Sequence, residues 1–191
     1  GRKHQLSFLP LADATAPGLM LGYGVGRIGC QVSGDGDWGI PNPNPQPEWL
    51  SWLPDWTWAY AYPNNVNGIF GPRAAGYTGK LIEEPSPWPL FGGYGTYLEP
   101  AVFPTAFYET VLATLIFGFL WSLRKRISVP GRLFALYLVC NGLERFWIEK
   151  IRVNAVIEWM GLEFTQAESI STLTFFAGVI LWWKLPRWTN R

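Results

Sequence analysis

Hydrophobic residues in this chain gather into four long runs that are separated by polar or Pro-rich stretches. The runs cover residues 8–29, 104–123, 133–151 and 164–185. Each run approaches the roughly 20 mostly apolar residues that a helix needs to cross a bilayer. The pattern therefore predicts an all-α polytopic membrane protein with about four transmembrane helices.

The segment between the first two runs, residues 30–103, differs in kind. It holds six of the twelve Trp and eleven of the sixteen Pro residues. Pro at this density prevents regular helix, and Trp favours membrane interfaces. We predict an irregular, Trp- and Pro-rich head segment outside the bilayer. Within it, residues 49–58 fit either an interfacial aromatic belt or part of a small folded head.

The distribution of charge predicts an orientation. Nine of the fifteen Lys and Arg residues, and none of the fourteen acidic ones, lie in the flanks 1–7, 124–132 and 184–191. Cytoplasmic flanks of membrane proteins carry such an excess of positive charge. Both ends of the chain are therefore expected on the cytoplasmic side, and the head segment on the opposite side.

Polar residues mark one layer of this topology. A charge at bilayer depth costs a few kcal/mol, so it usually faces protein or water and serves a purpose. Arg145, Glu149 and Arg152 are spaced to share one face if the third helix continues that far. Two guanidinium groups at one depth can hold an anionic head group. The polar residues expected near the outer ends of the spans are Arg27, Tyr108, Glu109, Arg145, Glu149 and Gln166.

Composition argues against several other classes of protein. The net charge is +1, which gives no basic field for nucleic acid. Cys30 and Cys140 are the only cysteines, too few for a zinc site or a disulfide scaffold. No metal or organic cofactor is expected. The chain opens at Gly1 without an initiator Met, and we expect a piece of a longer protein.

Five short motifs, taken in order, resemble those of one known family. The run Gly26–Gly39 resembles the signature of prolipoprotein diacylglyceryl transferases, roughly GR-hydrophobic-GN-x-x-NGE-x-x-G. The other segments similar to family motifs are Asp13–Pro17, Phe103–Glu109, Arg145–Arg152 and Phe164–Ser169. The resemblance covers most of the chain, and five motifs in order at family-like spacing are far more specific than one.

The resemblance implies an activity and a place in the cell. A diacylglyceryl group would pass from phosphatidylglycerol to the lipobox cysteine thiol of a preprolipoprotein, and glycerol phosphate would leave. The expected partners are phosphatidylglycerol, the lipobox peptide and the membrane itself. The expected location is the bacterial inner membrane, with several spans and the active site on the periplasmic side.

Phosphate chemistry and the family motifs together suggest the site residues. A guanidinium binds phosphate through two hydrogen bonds and so suits it better than Lys does. Arg27 and Arg145 are the expected phosphate ligands, with Glu149 orienting an arginine. The thiolate nucleophile belongs to the substrate, so neither cysteine of this chain is needed for attack. The expected substrate-binding residues are Tyr108, Glu109, Gly39, Arg152 and Gln166.

Departures from the family pattern leave alternatives open. Cys30 replaces the Asn of the first motif, and the family's His-Gly-Gly segment has no counterpart, since His4 is the only His. The chain is then either the carboxy-terminal part of a longer enzyme without its amino-terminal helices, or a divergent member. A non-catalytic phospholipid-binding protein that lost the catalytic base is the main rival, followed by a small transporter or channel subunit.

Several of these residues also have a simpler structural interpretation. Arg27 could extend to the membrane interface, and Arg145 with Glu149 could form a buried ion pair. Gln166 could cap the last helix, and Asp13 could cap or pack a helix. The two aspartates of the first motif, Asp35 and Asp37, could simply shape a turn.

Overall fold

The computed structural model describes residues 7–63, 65–66, 78–81, 96–153, 156–159 and 162–188. The described part is mostly helical. The helices are α1 (Phe8–Ser33), α2 (Thr105–Leu123), α3 (Arg132–Glu149) and α4 (Gln166–Trp188). Two antiparallel hairpins join β1 (Thr78–Leu81) to β2 (Thr96–Glu99) and β3 (Val156–Trp159) to β4 (Leu162–Thr165). The predicted helical character is therefore confirmed, whereas the two short strand pairs depart from the all-α prediction.

The chain divides into two compact units. The helical unit consists of Gly1–Val25, Glu109–Glu149 and Ala155–Arg191. The Trp-rich unit consists of Gly26–Tyr108 and Lys150–Asn154. Each unit has its own cluster of buried apolar residues.

Within the helical unit, α1 buries one face that is lined by small residues. Ala12, Ala16, Met20 and Gly24 are buried at intervals of four residues, which is the spacing of one helical face. A Cβ atom on Gly24 would lie 3.1 Å from the Cβ of Ala113 on α2. Small side chains at this seam let the two helix backbones approach closely.

Small residues also allow α3 and α4 to approach each other closely. A Cβ atom on Gly142 would lie 2.8 Å from the backbone nitrogen of Phe175, closer than real Cβ contacts. A Cβ atom on Gly178 would lie 2.7 Å from the carbonyl oxygen of Ala135. Since both helices present backbone at the contact, glycine is required at these two positions.

A carboxylate from α1 caps the beginning of α3. The Asp13 side chain accepts hydrogen bonds from the backbone N–H of Gly131 at 2.6 Å and of Phe134 at 2.7 Å. The first N–H groups of a helix have no partner inside the helix, and a negative charge there also complements the helix dipole. The predicted capping role of Asp13 is confirmed, and it ties α1 to α3.

The last helix begins with a reciprocal cap made by other residues than expected. The Thr165 N–H donates to the Glu168 carboxylate at 2.9 Å, and the Glu168 N–H donates to the Thr165 hydroxyl oxygen at 3.1 Å. This is the capping-box arrangement of a Thr followed three residues later by Glu. Gln166 is exposed at the first helical position, and its neighbours Thr165 and Glu168 form the cap instead of it.

The helices expose large apolar side chains. One helix in the described part of the chain, α2, is long and apolar enough by hydropathy to cross a bilayer. The large apolar residues exposed on α4 recur every three or four positions, as Ile170, Leu173, Phe176, Ile180 and Trp183. A continuous exposed apolar stripe of this kind is unusual for a surface that faces water.

The Trp-rich unit contains two short 3-10 turns, Glu48–Leu50 and Asp55–Thr57, and a small aromatic core. Trp38, Tyr62, Leu98 and Val102 are at most 2% exposed and pack together. Their backbones are linked as well, because the N–H of Leu98 donates to the carbonyl of Ala61 at 2.7 Å. The Trp-rich unit thus has a small apolar core that its own residues form.

Backbone pairing decides where α3 ends. The N–H of Ile40 donates to the carbonyl of Ile151 at 2.8 Å, and Gly39 forms an antiparallel bridge with Arg152. The helix stops at Glu149, and residues 151 and 152 make single backbone contacts with residues 39 and 40 instead. Arg152 consequently lies outside the helix, and the expected face shared with Arg145 and Glu149 does not include it.

Candidate functional site

In the Trp-rich unit, one carboxylate holds two arginines. Oδ2 of Asp37 forms an ion pair with Nη1 of Arg27, and Oδ1 pairs with Nη2 of Arg152. The arginine side chains are only 12% and 9% exposed, whereas Asp37 is 29% exposed. Asp37 thus balances part of the positive charge of two largely buried guanidinium groups.

Asp37 is fixed by its backbone as well as by its side chain. Its carbonyl oxygen accepts a 2.9 Å hydrogen bond from the buried hydroxyl of Thr105. Its N–H donates to Oδ1 of Asp35 at 3.3 Å, which gives the predicted aspartate turn. The carboxylate is therefore presented to both guanidinium groups from a turn that is anchored to the first residue of α2.

Gly39 brings Arg152 to this cluster. Its N–H donates to the carbonyl of Phe103 at 2.8 Å. A Cβ atom on Gly39 would lie 2.6 Å from the carbonyl oxygen of Ile151 and 2.7 Å from the Cβ of Phe103. Because Gly39 has no side chain, the backbone segments around residues 39, 103 and 151 can meet here. This meeting point is two residues along the chain from Asp37. The structure thus gives Gly39 a packing role, and its predicted role in substrate binding stays a prediction.

Cys30 lies beside the same cluster. Nη1 of Arg27 donates to Sγ of Cys30 at 3.6 Å. The ligand atoms of Cys30, Asp35 and Asp37 lie within 4.8 Å of one another, close enough for a metal ion. The Asp37 oxygens, however, already bind two guanidinium groups, an arrangement better suited to balancing charge among arginines than to binding a cation.

In the helical unit, Arg145 belongs to a second cluster with Tyr23 and Glu109. The Tyr23 hydroxyl donates to Oε1 of Glu109 at 2.7 Å, and Nη1 of Arg145 donates to the Tyr23 hydroxyl oxygen at 3.3 Å. Arg145 and Glu109 form an ion pair at 3.8 Å. Glu109 is 1% exposed and Arg145 is 32% exposed. The buried carboxylate thus balances a guanidinium that is still partly accessible.

Glu109 therefore packs between helices and does not face lipid. Thr110, the next residue of α2, donates its hydroxyl to the carbonyl of Gly24 at 3.3 Å. This contact and the Tyr23 hydrogen bond join the same stretch of α1 to the same stretch of α2. The sequence interpretation of Glu109 as functional or inter-helical agrees with its burial.

The remaining predicted residues occupy different surroundings. Glu149 is the last residue of α3 and is 4% exposed, one helical turn after Arg145. The Tyr108 hydroxyl donates to the backbone carbonyl of Thr57 at 2.8 Å, so it fastens the Trp-rich segment to the first turn of α2. Gln166 is exposed at the start of α4. Their expected contact with substrate stays a prediction.

Sequence reasoning missed two residues of these clusters. Tyr23 lies one turn before Arg27 on α1. A tyrosine in an apolar helix needs a partner for its hydroxyl, which is a signal for an inter-helical contact. The sequence indicated only a turn at Asp37. An acid in the same motif as Arg27 could, however, also pair with a second arginine, here Arg152.

Comparison with known proteins gives a consistent picture. A family model described as prolipoprotein diacylglyceryl transferase matches residues 1–184. Phosphatidylglycerol–prolipoprotein diacylglyceryl transferase of Corynebacterium efficiens is 29% identical over 187 residues, which cover 97% of this chain and 49% of that protein. The protein of the same name from Corynebacterium glutamicum is 30% identical over 181 residues, or 94% of this chain and 48% of the relative.

A more distant relative of the same name, from Chlorobaculum tepidum, is 26% identical over 192 residues, or 99% of this chain and 51% of that protein. The chain thus spans about half the length of the curated relatives it matches. No solved structure matches it. Since the family model covers nearly all of the sequence, the resemblance carried by the five motifs is confirmed, and the chain belongs to the prolipoprotein diacylglyceryl transferase family.

Proposed function

We propose that this protein takes part in the transfer of a diacylglyceryl group from phosphatidylglycerol to the lipobox cysteine of a preprolipoprotein. Membership of the family and the printed name of its relatives support the reaction. One observation links this reaction to particular residues. The two arginines of the most specific motifs are each oriented by a carboxylate, Arg27 by Asp37 and Arg145 by Glu109.

The proposed setting is the bacterial inner membrane, with all four helices crossing it. The apolar stripe exposed on α4 and the apolar character of α2 support this arrangement. Arg124 stacks 3.6 Å from the Trp121 ring, and Arg132 lies 5.0 Å from the Trp182 ring. Aromatic residues beside basic ones are typical of membrane interfaces, and both arginines belong to the proposed cytoplasmic flank. The Trp-rich unit would then lie on the periplasmic side.

The reaction is a substitution at the sn-3 carbon of the diacylglyceryl group. The thiol of the acceptor cysteine loses its proton to a base, and the thiolate forms the new carbon–sulfur bond. The carbon–oxygen bond to phosphate breaks, and the electron pair leaves with glycerol phosphate. Negative charge therefore grows on the phosphate oxygens in the transition state. Positioned guanidinium groups stabilise charge that develops in this way.

The role of the carboxylates is to orient the arginines before substrate binds. The arginine side chain has several rotatable bonds, and holding its guanidinium in one geometry beforehand lowers the entropy lost on binding. Asp37 would hold Arg27 and Arg152, and Glu109 with Tyr23 would hold Arg145. Glu149 would complete the surroundings of Arg145 from the same helix. We assign Arg27 and Arg145 to the phosphate and the acids to positioning.

The experiment measures lipid transfer by the full-length protein carrying Arg27→Ala or Arg145→Ala. Membranes or detergent extracts would receive radiolabelled phosphatidylglycerol and a synthetic lipobox peptide. Removing one group that stabilises the transition state costs about 100-fold or more in rate. Arg→Lys at the same positions keeps the charge but loses the two-pronged geometry, and we expect partial activity. Arg126→Ala, an exposed change in the proposed cytoplasmic flank, is the matched control.

Two outcomes would contradict the proposal. Wild-type rates in both Arg27→Ala and Arg145→Ala would remove the phosphate role of these arginines. Saturable binding of phosphatidylglycerol by the unmodified protein, with no lipid reaching the peptide, would favour a non-catalytic lipid-binding protein instead.

A further inference from the structure

A short loop of the Trp-rich unit exposes an unusual amount of aromatic surface. Trp49 is 74% exposed, Trp52 is 76% exposed and Trp56 is 40% exposed. We call residues 49–56 the Trp loop. Exposed apolar patches of this size commonly mark a surface that contacts a membrane or a partner. Nothing in the proposed reaction uses these side chains.

The loop is held in a fixed shape by its own hydrogen bonds. The Gln46 side-chain amide donates to the carbonyls of Leu50 at 2.8 Å and Leu53 at 3.1 Å, which closes the loop from inside. The indole N–H of Trp52 donates to the carbonyl of Trp49 at 3.1 Å. The indole rings are thus displayed by an ordered backbone and are not merely the side chains of a loose linker.

The loop is fastened to the beginning of the most apolar helix. The Trp56 ring packs edge-on against Phe107 in the first turn of α2, with ring centroids 4.9 Å apart. The Tyr108 hydroxyl bonds to the carbonyl of Thr57, the residue that follows the loop. In the topology proposed above, α2 crosses the bilayer, so its first turn would lie at the depth of the lipid head groups. A loop attached to that turn is expected near the same depth.

Exposed apolar surface continues along α2 from this turn. Val111, Leu115 and Phe119 are 41%, 65% and 48% exposed and follow one another at intervals of four residues. One side of α2 is thereby suited to acyl chains, and the Trp loop is attached at the end of that helix. Tryptophan combines an apolar ring with a polar N–H and prefers the boundary between these two environments.

The charge of this region argues for a particular driving force. No Lys or Arg occurs between residues 28 and 72, whereas Glu48 and Asp55 are the first residues of the two 3-10 turns. Membrane binding through basic residues depends on anionic lipids. The Trp loop itself offers no basic residue for that mechanism, and these two acids would oppose it. Burial of the indole rings among head groups is the remaining source of binding energy.

We propose that the Trp loop is a membrane-interface anchor that rests among the lipid head groups at the outer end of α2. It would hold the Trp-rich unit, with its Arg27–Asp37–Arg152 cluster, down on the surface that supplies phosphatidylglycerol. The proposal rests on the topology proposed above but not on the transfer reaction. The rivals, a bound polypeptide and a second copy of this chain, are outcomes of the test.

The test measures the depth of single spin labels in the full chain reconstituted into lipid vesicles. Cys30→Ser and Cys140→Ala remove the two cysteines of residues 1–191, and any cysteine outside these residues is replaced by Ser. The label is placed by Trp52→Cys, and in a second protein by Trp49→Cys in case the first variant is poorly folded. Leu115→Cys serves as the acyl-chain reference, and Lys125→Cys as the water reference because Lys125 is exposed in the turn after α2. Collision with oxygen and with a water-soluble nickel chelate reports the surroundings of each label.

We expect the Trp52 label to lie between the two references, with more oxygen contact and several-fold less nickel contact than Lys125→Cys. Vesicles of phosphatidylcholine alone and of phosphatidylcholine with phosphatidylglycerol should give the same depth, because no basic residue takes part. Nickel contact equal to that of Lys125→Cys would overturn the proposal. Protection from both reagents would also overturn it, because it would mean that protein covers the loop. No acceptor peptide is present, so a failed transfer assay leaves the result unaffected.

Discussion

The hydroxyl of Tyr23 on α1 lies 2.7 Å from the buried carboxylate of Glu109 on α2 and donates a hydrogen bond to it. The same oxygen accepts a hydrogen bond from Arg145 at 3.3 Å, whereas Arg145 and Glu109 are 3.8 Å apart. Tyr23 thus links Glu109 to Arg145, because the 3.8 Å between these two residues is too long for a strong direct hydrogen bond. A residue without charge completes the charged cluster.

Replacing Tyr23 by Phe should test this link. The ring remains to fill its space, but the hydroxyl that joins Glu109 to Arg145 is lost. Hydrogen bonds to charged groups contribute about 1.5–3 kcal/mol, so transfer should fall about tenfold to a hundredfold. Steady-state rates across a range of phosphatidylglycerol concentrations would separate slower turnover from weaker binding. Tyr137→Phe on α3 is the matched control, and equal losses in both variants would point to a general effect on folding.

Asp37→Asn should release Arg27 and Arg152 from their shared carboxylate. The amide keeps the size of the side chain but no longer balances either positive charge. We expect at least a tenfold drop in the rate of transfer. A guanidinium that is no longer held in position stabilises the charge that develops in the transition state less well. Asp35→Asn changes a neighbouring exposed carboxylate that bonds to the Asp37 amide, and it should retain most activity. Unchanged rates with Asp37→Asn would remove its positioning role.

Gly39→Ala should destabilise the Trp-rich unit. The new Cβ atom would lie 2.6 Å from the Ile151 carbonyl oxygen, and backbone cannot move away as a flexible side chain can. Overpacking of this kind costs about 1–3 kcal/mol. Thermal unfolding in detergent should show a lower midpoint. Gly29→Ala has open space around its Cβ and lies within a helix, so it should unfold at the wild-type temperature or slightly above.

Alkaline pH should unfold the Trp-rich unit through Tyr62. This side chain is 2% exposed and donates its hydroxyl to Gln31 at 2.8 Å, and burial raises its pKa above the ordinary value of a tyrosine. The folded state then holds the proton more tightly than the unfolded state does. Stability is therefore unchanged below about pH 10, the unfolded pKa, and falls as the pH rises past it.

The phenolate absorbance of the wild type and of Tyr62→Phe, recorded with circular dichroism during titration, checks this expectation. The phenolate that is missing from the variant should appear together with unfolding. A Tyr62 phenolate that forms near pH 10 while the fold is intact would contradict it.

The sequence alone indicated much of the framework. The second hydrophobic run, 104–123, coincides within one residue with α2, because an unbroken apolar stretch favours a helix in any context. The five ordered motifs were sufficient to indicate the family, which is now confirmed. Arg27, Glu109 and Arg145 were singled out because a charge in an apolar segment is costly to bury. Each of the three is held in an ion pair.

Tertiary structure alone decided which groups meet. Asp37 and Arg152 are 115 positions apart, and Tyr23 and Glu109 are 86 apart. No local periodicity reports such a pairing, because it depends on which backbones come within hydrogen-bonding distance. The end of α3 is of the same kind. The third hydrophobic run was expected to reach residue 151, but the carbonyl of Ile151 accepts a backbone hydrogen bond from Ile40, and Arg152 pairs with Gly39. These partners are distant in sequence, so no local preference for helix reports where α3 ends.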